Sequence, residues 1–216
     1  MNATTGEQNL ALPVWEAEKA TAWSDRNIYV NVDGTAVKFQ HSNLNAAQKA
    51  FLNADLVDYL RGDRSKEADK TGGTLRQRAG VLPAFINSQL VYVGAPEQGD
   101  YYSKLDSTSA KAYAAYATAQ ASRTPVIYIA GNNGMLHAFN AETGVEIYGF
   151  LPNNSISAKL ADYAHKDYGS NQKTVKPHQY ILDGELTVAD AYMDDAWKTI
   201  LVGTQDVAVQ EYLPLT

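Results

Sequence analysis

Residues 126–152 read VIYIAGNNGMLHAFNAETGVEIYGFLP, and this stretch decides the fold. Residues 126–129 are β-branched and aromatic, as strands favour. Gly131-Asn132-Asn133-Gly134 collects residues that tolerate positive φ, so the chain turns there. Residues 135–139 then alternate: Met135, His137 and Phe139 face one side, Leu136 and Ala138 the other. A second turn over 141–144 leads into a third strand over 145–150. Three short antiparallel strands joined in this way build most of one blade of a β-propeller.

Working outward on the N-terminal side, 84–94 (AFINSQLVYVG) predicts another strand. Residues 108–122 are alanine-rich, with Tyr113 and Tyr116 three apart, and predict a surface helix. Further upstream, 27–32 and 35–39 alternate around Asp33-Gly34, a preferred type I′ hairpin turn. Asn45 is positioned to cap a short helix over AAQKAFL. A second helix over 54–60 puts Leu56, Val57 and Leu60 on one face. Residues 61–73 (RGDRSKEADKTGG) are charged and nearly devoid of apolar side chains, which predicts an exposed loop. In 75–81, Arg76 and Arg78 point to the same side if the segment is extended. Residues 1–12 read as a loose terminus, followed by Trp15 and Trp23 as packing anchors.

On the C-terminal side, Asn154 or Ser155 caps a helix carrying Ile156, Leu160 and Tyr163 on one side. Residues 99–106 and 167–177 read as loops. A second Asp-Gly hairpin is expected over 178–182 and 185–189, turning at Asp183-Gly184. Residues 197–203 predict a last buried strand. The runs VYVG at 91, IYIA at 127 and ILVG at 200 begin similar strands, the first two 36 residues apart. That spacing is close to the roughly 40–50 residues of a propeller blade repeat. The fold class is therefore mainly β with a few short helices: a partial β-propeller of two to three blades.

A net charge of −6 argues against a general nucleic-acid binder, which carries a basic patch or stripe. The chain has no cysteine, so it offers neither disulfides nor thiolate zinc ligands. No stretch approaches the roughly 20 apolar residues of a membrane helix. The N-terminus shows no basic region followed by an apolar run, so no signal peptide is visible. The expectation is either a cytoplasmic protein or an interior piece of a longer exported chain.

Few residues carry the pattern of a reactive site. His41, His137, His165 and His178 are scattered, without the spacing of metal ligands. His137 alternates with Met135 and Phe139, which marks a packed strand histidine. Asp190, Asp194 and Asp195 read as a solvated acidic turn rather than a cation site. Ser88, Ser155 and Ser157 lie in no nucleophile elbow. Gly131–Gly134 does not open a helix, so it supports no dinucleotide site. The expectation is no catalytic residue, no metal ligand and no cofactor. Arg61-Gly62-Asp63 spells the integrin-type recognition triplet in a charged loop, where such a triplet has to sit. These three residues are the candidate recognition site, against a plain role in solvating or fixing the loop.

Four stretches in order resemble the PilY1 / PilC family of type IV pilus tip-associated proteins. The first is Tyr59-Leu60-Arg61-Gly62-Asp63-Arg64 with Glu67. The second is Leu75-Arg76-Gln77-Arg78, Ile86-Asn87-Ser88 and Val91-Tyr92-Val93-Gly94-Ala95-Pro96. The third runs from Gly131 to Asn140. The fourth is Leu182-Asp183-Gly184 with Trp197-Lys198-Thr199-Ile200-Leu201-Val202-Gly203. The resemblance covers about residues 13–204 and implies a quinoprotein-like partial propeller without known catalysis. It implies a place at the cell surface, on the pilus or outer membrane, and roles in pilus assembly, retraction control and adhesion. Pilus (minor pilin) proteins and host-cell or surface ligands are the implied partners. The family's calcium loop, an Asp-rich run later in the propeller, has no counterpart here, so calcium is not carried over.

Two departures stand out. Leu82-Pro83-Ala84 replaces the family's Leu-Gly-Asp. Residues 205–216 replace a glycine-rich strand turn, and the domain reading is 1–12 loose, 13–204 partial propeller and 205–216 an atypical tail. Codons compatible with 205–216, read one frame over, give Gly-Arg-Gly-Gly-Ala-Gly-Val-Phe-Ala-Leu-Asp, the family's pattern. The tail therefore reads as a frameshifted ending, a matter the coding sequence decides. The leading functional reading is a non-enzymatic pilus biogenesis and tip-associated adhesion protein, apparently truncated. The alternatives are a quinoprotein-like propeller fragment of a periplasmic dehydrogenase or scaffold, and a non-functional truncated gene product. Quinoproteins repeat an Ala…Thr-Gly…Trp motif in most blades. This chain has one degenerate copy over 138–148, with Tyr148 in place of the Trp, which favours the pilus reading.

Overall fold

The structure, a computed structural model, describes residue 17, residues 22–96, 103–169 and 176–204, and the backbone of 210–215. The expectations for residues 1–12, Trp15 and 205–209, and parts of the loops 99–106 and 167–177, lie outside the described residues.

The sequence that decides the fold forms β4 (Val126–Ala130), β5 (Leu136–Asn140) and β6 (Glu146–Leu151). They pair antiparallel in order, with a bulge between Ala138 and Phe139. Gly134 closes the first turn at φ 79° and Gly144 the second at φ 72°, a conformation that glycine adopts without steric cost. β3 (Val91–Val93) adds to the edge of β4 and completes a four-stranded blade. The mainly β class with a few short helices is present as read, in open sheets consistent with a partial propeller.

The N-terminal hairpin joins this blade from outside. β1 (Ile28–Val32) and β2 (Thr35–Lys38) turn through Asp33 at φ 51° and Gly34 at φ 88°, the two positive φ values of a type I′ turn. The Asn31 side chain accepts from the Gly34 N–H at 2.8 Å. β1 then lies parallel to β6, giving a six-stranded sheet ordered β2-β1-β6-β5-β4-β3. A second antiparallel sheet contains β7 (Leu186–Met193), β8 (Ala196–Thr204) and β9 (Gln210–Leu215).

Short helices of the described residues flank the sheets. α1 (Ala46–Lys49) starts with a reciprocal capping box between Asn45 and Gln48. α2 (Ala54–Arg61) is capped by Asn53, ends on Gly62 at φ 120°, and buries Leu56, Val57, Tyr59 and Leu60. α3 (Ser107–Ala119) begins on Asp106. α4 (Ala158–Ala164) begins on Ser157, not on Asn154 or Ser155, which form a 3₁₀ turn instead.

Two cores result. One packs α2 and α4 against the outer sheet through Ile28, Val30, Leu56, Leu60, Met135 and Leu160. The other lies between the sheets and joins Val93, Tyr128, Ala138 and Phe150 to Leu186 and Leu201. β5 is covered on both faces, which is why four of its five residues are buried despite their alternating direction.

Several expectations are corrected. Only Val91–Val93 of the stretch 84–94 is a strand. Asn87 sits at φ 64°, the Ala84 carbonyl accepts from Asn132 N–H, and the Ser88 hydroxyl accepts from Ala130 N–H. The polar groups of 84–90 are thus spent on crossing contacts, not on a ladder. The second hairpin turns at Asp194-Asp195, with φ of 49° and 59°, and not at Asp183-Gly184. Gly184 serves close approach instead: a Cβ there would lie 1.7 Å from the Thr204 carbonyl oxygen. Asp190 belongs to β7 rather than to the acidic turn. α3 is more than a surface helix, since Tyr113 is fully buried against Trp197. The 61–73 segment is not simply exposed, because Glu67 is fully buried within it. The tail forms a ladder: the backbone of Gln210–Leu215 pairs with β8 from Thr199 to Thr204.

Candidate functional site

The triplet Arg61-Gly62-Asp63 leaves the C-terminus of α2 and is held from several sides. The Arg61 guanidinium bonds Asp58 at 3.2 Å and lies 5.2 Å from the Trp23 ring centroid. Its side chain is 12% exposed, so its charge turns back onto the protein. The Arg61 carbonyl accepts from Arg26 Nη1 at 2.6 Å. Gly62 combines φ 120° with a Cβ position 3.0 Å from Trp23 Cβ, so only glycine fits without strain. Asp63 accepts from the Ser65 N–H and hydroxyl, forming a local turn. Its carbonyl accepts from Arg78 Nη2 at 2.7 Å. These contacts hold the triplet against the end of α2.

Glu67 organises the rest of the segment. Its two oxygens accept from Arg78 Nε at 2.9 Å and Arg64 Nε at 3.0 Å. Burial alone would raise its pKa, but the hydrogen bonds from the two arginines hold it below the ordinary carboxylate value. Arg78 also donates to the Tyr59 carbonyl and stacks over the Tyr59 ring at 3.7 Å. Arg64 donates from Nη2 to the Arg78 carbonyl. A charged sequence nearly devoid of apolar residues therefore folds inward because the buried Glu67 finds its opposite charges in Arg64 and Arg78.

His137 is packed, as its alternation indicates. It is fully buried, edge-on to Phe85 and stacked on Phe139. Its Nδ1 lies 2.7 Å from Glu146 Oε1 and its Nε2 lies 3.2 Å from Asn133 Oδ1. Arg26 grips the same Glu146 with Nε at 2.6 Å and Nη2 at 2.9 Å. Burial would raise the Glu146 pKa, but bonds from Arg26 and His137 outweigh it and bring it to about 2. Burial pushes His137 below its ordinary value despite the Glu146 contact, so the ring is neutral. No substrate could reach this sealed histidine; it fastens β1 to β5 and β6.

One opening with a polar lining lies between the two sheets. A cleft of about 620 Å³ is bounded by Tyr92, Gly94, Arg123, Val188, Asp190 and Thr199. Thr199 donates to Asp190 Oδ1 at 2.6 Å, and the Tyr113 hydroxyl donates to Asp190 Oδ2 at 2.6 Å. Arg123 donates to Thr199 Oγ1 at 2.7 Å and to the Gly94 carbonyl at 2.5 Å. The sequence marks none of Arg123, Thr199 and Tyr113 as site residues: they lie on a loop, β8 and α3 and share no local pattern. Asp190 had the only visible signal, a carboxylate in an acidic stretch. Asp194 pairs with Lys198 at 2.7 Å, and the structure does not bring it to Asp190. Among the described residues, no group of three or more His, Asp or Glu is arranged to hold a metal. No helix of the described residues is long and apolar enough to cross a membrane.

The chain is similar to several known proteins. Residues 82–212 match the family described as the PilY1 beta-propeller domain. A type IV pilus biogenesis factor PilY1 homolog of Xylella fastidiosa is 44% identical over 193 residues, covering 89% of this chain and 15% of that protein. The type IV pilus biogenesis factor PilY1 of Pseudomonas aeruginosa strain PAK is 32% identical over 194 residues, covering 83% of this chain and 16% of that protein. The crystal structure of the Pseudomonas aeruginosa PilY1 C-terminal domain aligns at 28% identity over 52% of this chain and 19% of that chain, with a TM-score of 0.33. The chain thus spans only about a sixth of the length of the curated relatives it matches. The family match runs from the blade into the second sheet, and the chain belongs to the PilY1 β-propeller family.

Proposed function

We propose that this chain acts in type IV pilus biogenesis as a binding and assembly module without catalysis of its own, located on the pilus or at the cell surface. The observation that supports this most is the 44% identity to a pilus biogenesis factor, which runs through both sheets and the arginine-rich segment. The partners are pilus proteins, minor pilins included, with surface ligands as a further class. The buried polar groups support the same reading: His137, Glu146 and Glu67 are spent on holding elements together. In the bacterium that encodes the chain, deletion of its gene is expected to reduce surface pili and twitching motility, and complementation to restore both. Unchanged piliation and motility in the deletion strain would reject the proposal.

Adhesion is the narrower part of the proposal, and Arg61-Gly62-Asp63 is its candidate element. Recognition through the triplet requires Arg61 to leave Asp58 and the Trp23 ring. Arg61→Ala and Asp63→Glu in a cell-binding assay test it; unchanged binding rejects a role for the triplet and leaves the pilus role standing.

A further inference from the structure

Arg76 is the arginine of the α2 region whose charge is not met by a carboxylate. Arg26 has Glu146, Arg61 has Asp58, and Arg64 and Arg78 share Glu67. Among the described residues no carboxylate pairs with Arg76. Its guanidinium packs instead against two neighbouring aromatic rings, 4.6 Å from the Tyr163 centroid and 5.0 Å from the Tyr168 centroid. Its Nε is buried without a hydrogen-bond partner. The backbone holds the residue in place, since Arg76 N–H donates to the Ala164 carbonyl at 2.8 Å. Aromatic faces offset part of the cost of a half-buried cation, but an uncompensated guanidinium remains costly compared with a paired one.

Beside this guanidinium is a cavity of about 450 Å³, lined by Arg76, Gln77, Arg78, Ala79, Phe85 and Tyr163, among others. That volume falls in the range of small-molecule sites. The chemistry of the wall is specific: one guanidinium that meets tyrosine hydroxyls but no carboxylate, one amide side chain, and aromatic surface. Arg78 adds positive potential, although three of its N–H groups are already committed to Glu67, Tyr59 and Asp63. A planar guanidinium fork matches the oxygens of a carboxylate or phosphate and binds them through charge-assisted hydrogen bonds.

We propose that this cavity binds a small oxyanion, a carboxylate- or phosphate-bearing ligand, with Arg76 as its principal donor and Gln77 as a supporting one. Packing against the two tyrosines already restrains the guanidinium, so less side-chain freedom is lost on binding. The site is separate from the cleft between the sheets and from the Arg61-Gly62-Asp63 triplet, and it does not rest on the pilus reading.

The test uses the whole 216-residue chain at fixed ionic strength, titrated with inorganic phosphate and, separately, with succinate. Chemical shifts of the arginine Nε–H groups and calorimetry read binding. Saturable one-to-one binding is expected for at least one probe, and the probe that binds assigns the phosphate or the carboxylate class. Arg76→Gln is expected to weaken it at least tenfold. Ala79→Glu, at an exposed position on the rim, brings a competing carboxylate and is expected to do the same without touching the core. Arg123→Gln, in the other cleft, is expected to leave affinity unchanged. Absence of saturable binding by both probes would overturn the proposal, as would undiminished affinity in Ala79→Glu and Arg76→Gln.

Discussion

Arg26 and Glu146, 120 positions apart in sequence, meet in a buried bidentate ion pair with N–O distances of 2.6 and 2.9 Å. The pair joins the entry to β1 with the start of β6. Those two strands run parallel, so no hairpin turn connects them and side-chain chemistry has to fix their relation. His137, from β5, bonds the same carboxylate and extends the tie to a third strand.

Breaking this pair from one side leaves a buried charge unmet. Glu146→Gln and Arg26→Met are each expected to destabilise the fold by roughly 3–5 kcal/mol. The double variant Arg26→Met/Glu146→Leu is expected to recover a good part of that loss, because it leaves no lone charge. Urea denaturation of the three variants provides the comparison, and additive losses in the double variant would refute the coupling.

Acid should weaken the fold in two stages. Glu146 titrates near 2 in the fold, against its ordinary value of 4.5. The unfolded carboxylate takes up its proton first as pH falls, so stability is lost between about pH 4.5 and 2, on the order of 3 kcal/mol in all. His137, held below its ordinary 6.5, acts with the same sign. The unfolded imidazole gains a proton that the buried one refuses, so stability begins to decline as pH drops through about 6.5. Urea midpoints are expected to fall from pH 7.5 to 5.5 and again to 3.5. The advantage of the native chain over Glu146→Gln should shrink below pH 4.5.

Glu67 is the hinge of the arginine-rich segment. Glu67→Gln keeps the shape but removes the charge that Arg64 and Arg78 share. A loss of about 3–5 kcal/mol is expected, together with new proteolytic cleavage within 62–80. A segment that stays as protease-resistant as in the native chain would argue that Glu67 is dispensable.

Two glycines separate close approach from turn geometry. Gly184→Ala would place Cβ 1.7 Å from the Thr204 carbonyl oxygen, which forces backbone displacement beside β8. Gly34, at φ 88°, has nothing within 4 Å of the same position. Gly184→Ala is expected to cost several kcal/mol and Gly34→Ala about 1–2 kcal/mol from backbone strain alone. Thermal melts that rank them the other way would contradict the close packing at Gly184.

The β7–β8 turn offers the opposite change. Asp195 occupies the second central position of the turn at φ 59°, where a glycine is preferred. Asp195→Gly is expected to stabilise the chain by roughly 0.5 kcal/mol. A lower melting temperature would show that the Asp195 side chain contributes more than its strain costs.

Local patterns were legible wherever a strand, turn or cap is made by neighbours in sequence. The Asp33-Gly34 hairpin, the Asn45 cap, the α2 face and the blade strands β4 to β6 all follow from spacing and turn chemistry. The errors share a cause. Asp183-Gly184 has the composition of a turn, but composition cannot distinguish positive φ from tight contact with Thr204. Residues 84–90 have strand composition, but Ala84 and Ser88 give their polar groups to Asn132 and Ala130. The charged run 61–73 reads as solvated because its partners, Arg78 and Tyr59, lie outside it. The triplet Arg61-Gly62-Asp63 was visible as letters, whereas the contacts of Arg61 with Asp58 and Trp23 were not.

The sequence by itself determined the β-rich class, the blade built on residues 126–152 and the family. These depend on alternation, turn residues and ordered motifs, all of which are one-dimensional. Tertiary structure alone decided the parallel docking of β1 on β6, the burial of Glu67 and Glu146, and the meeting of Asp190, Thr199 and Arg123 between the sheets. It also decided that Arg76, among the described residues around α2, meets no carboxylate. Such features depend on distances between residues far apart in the chain, and an arginine has the same letter whether or not a carboxylate lies within 3 Å.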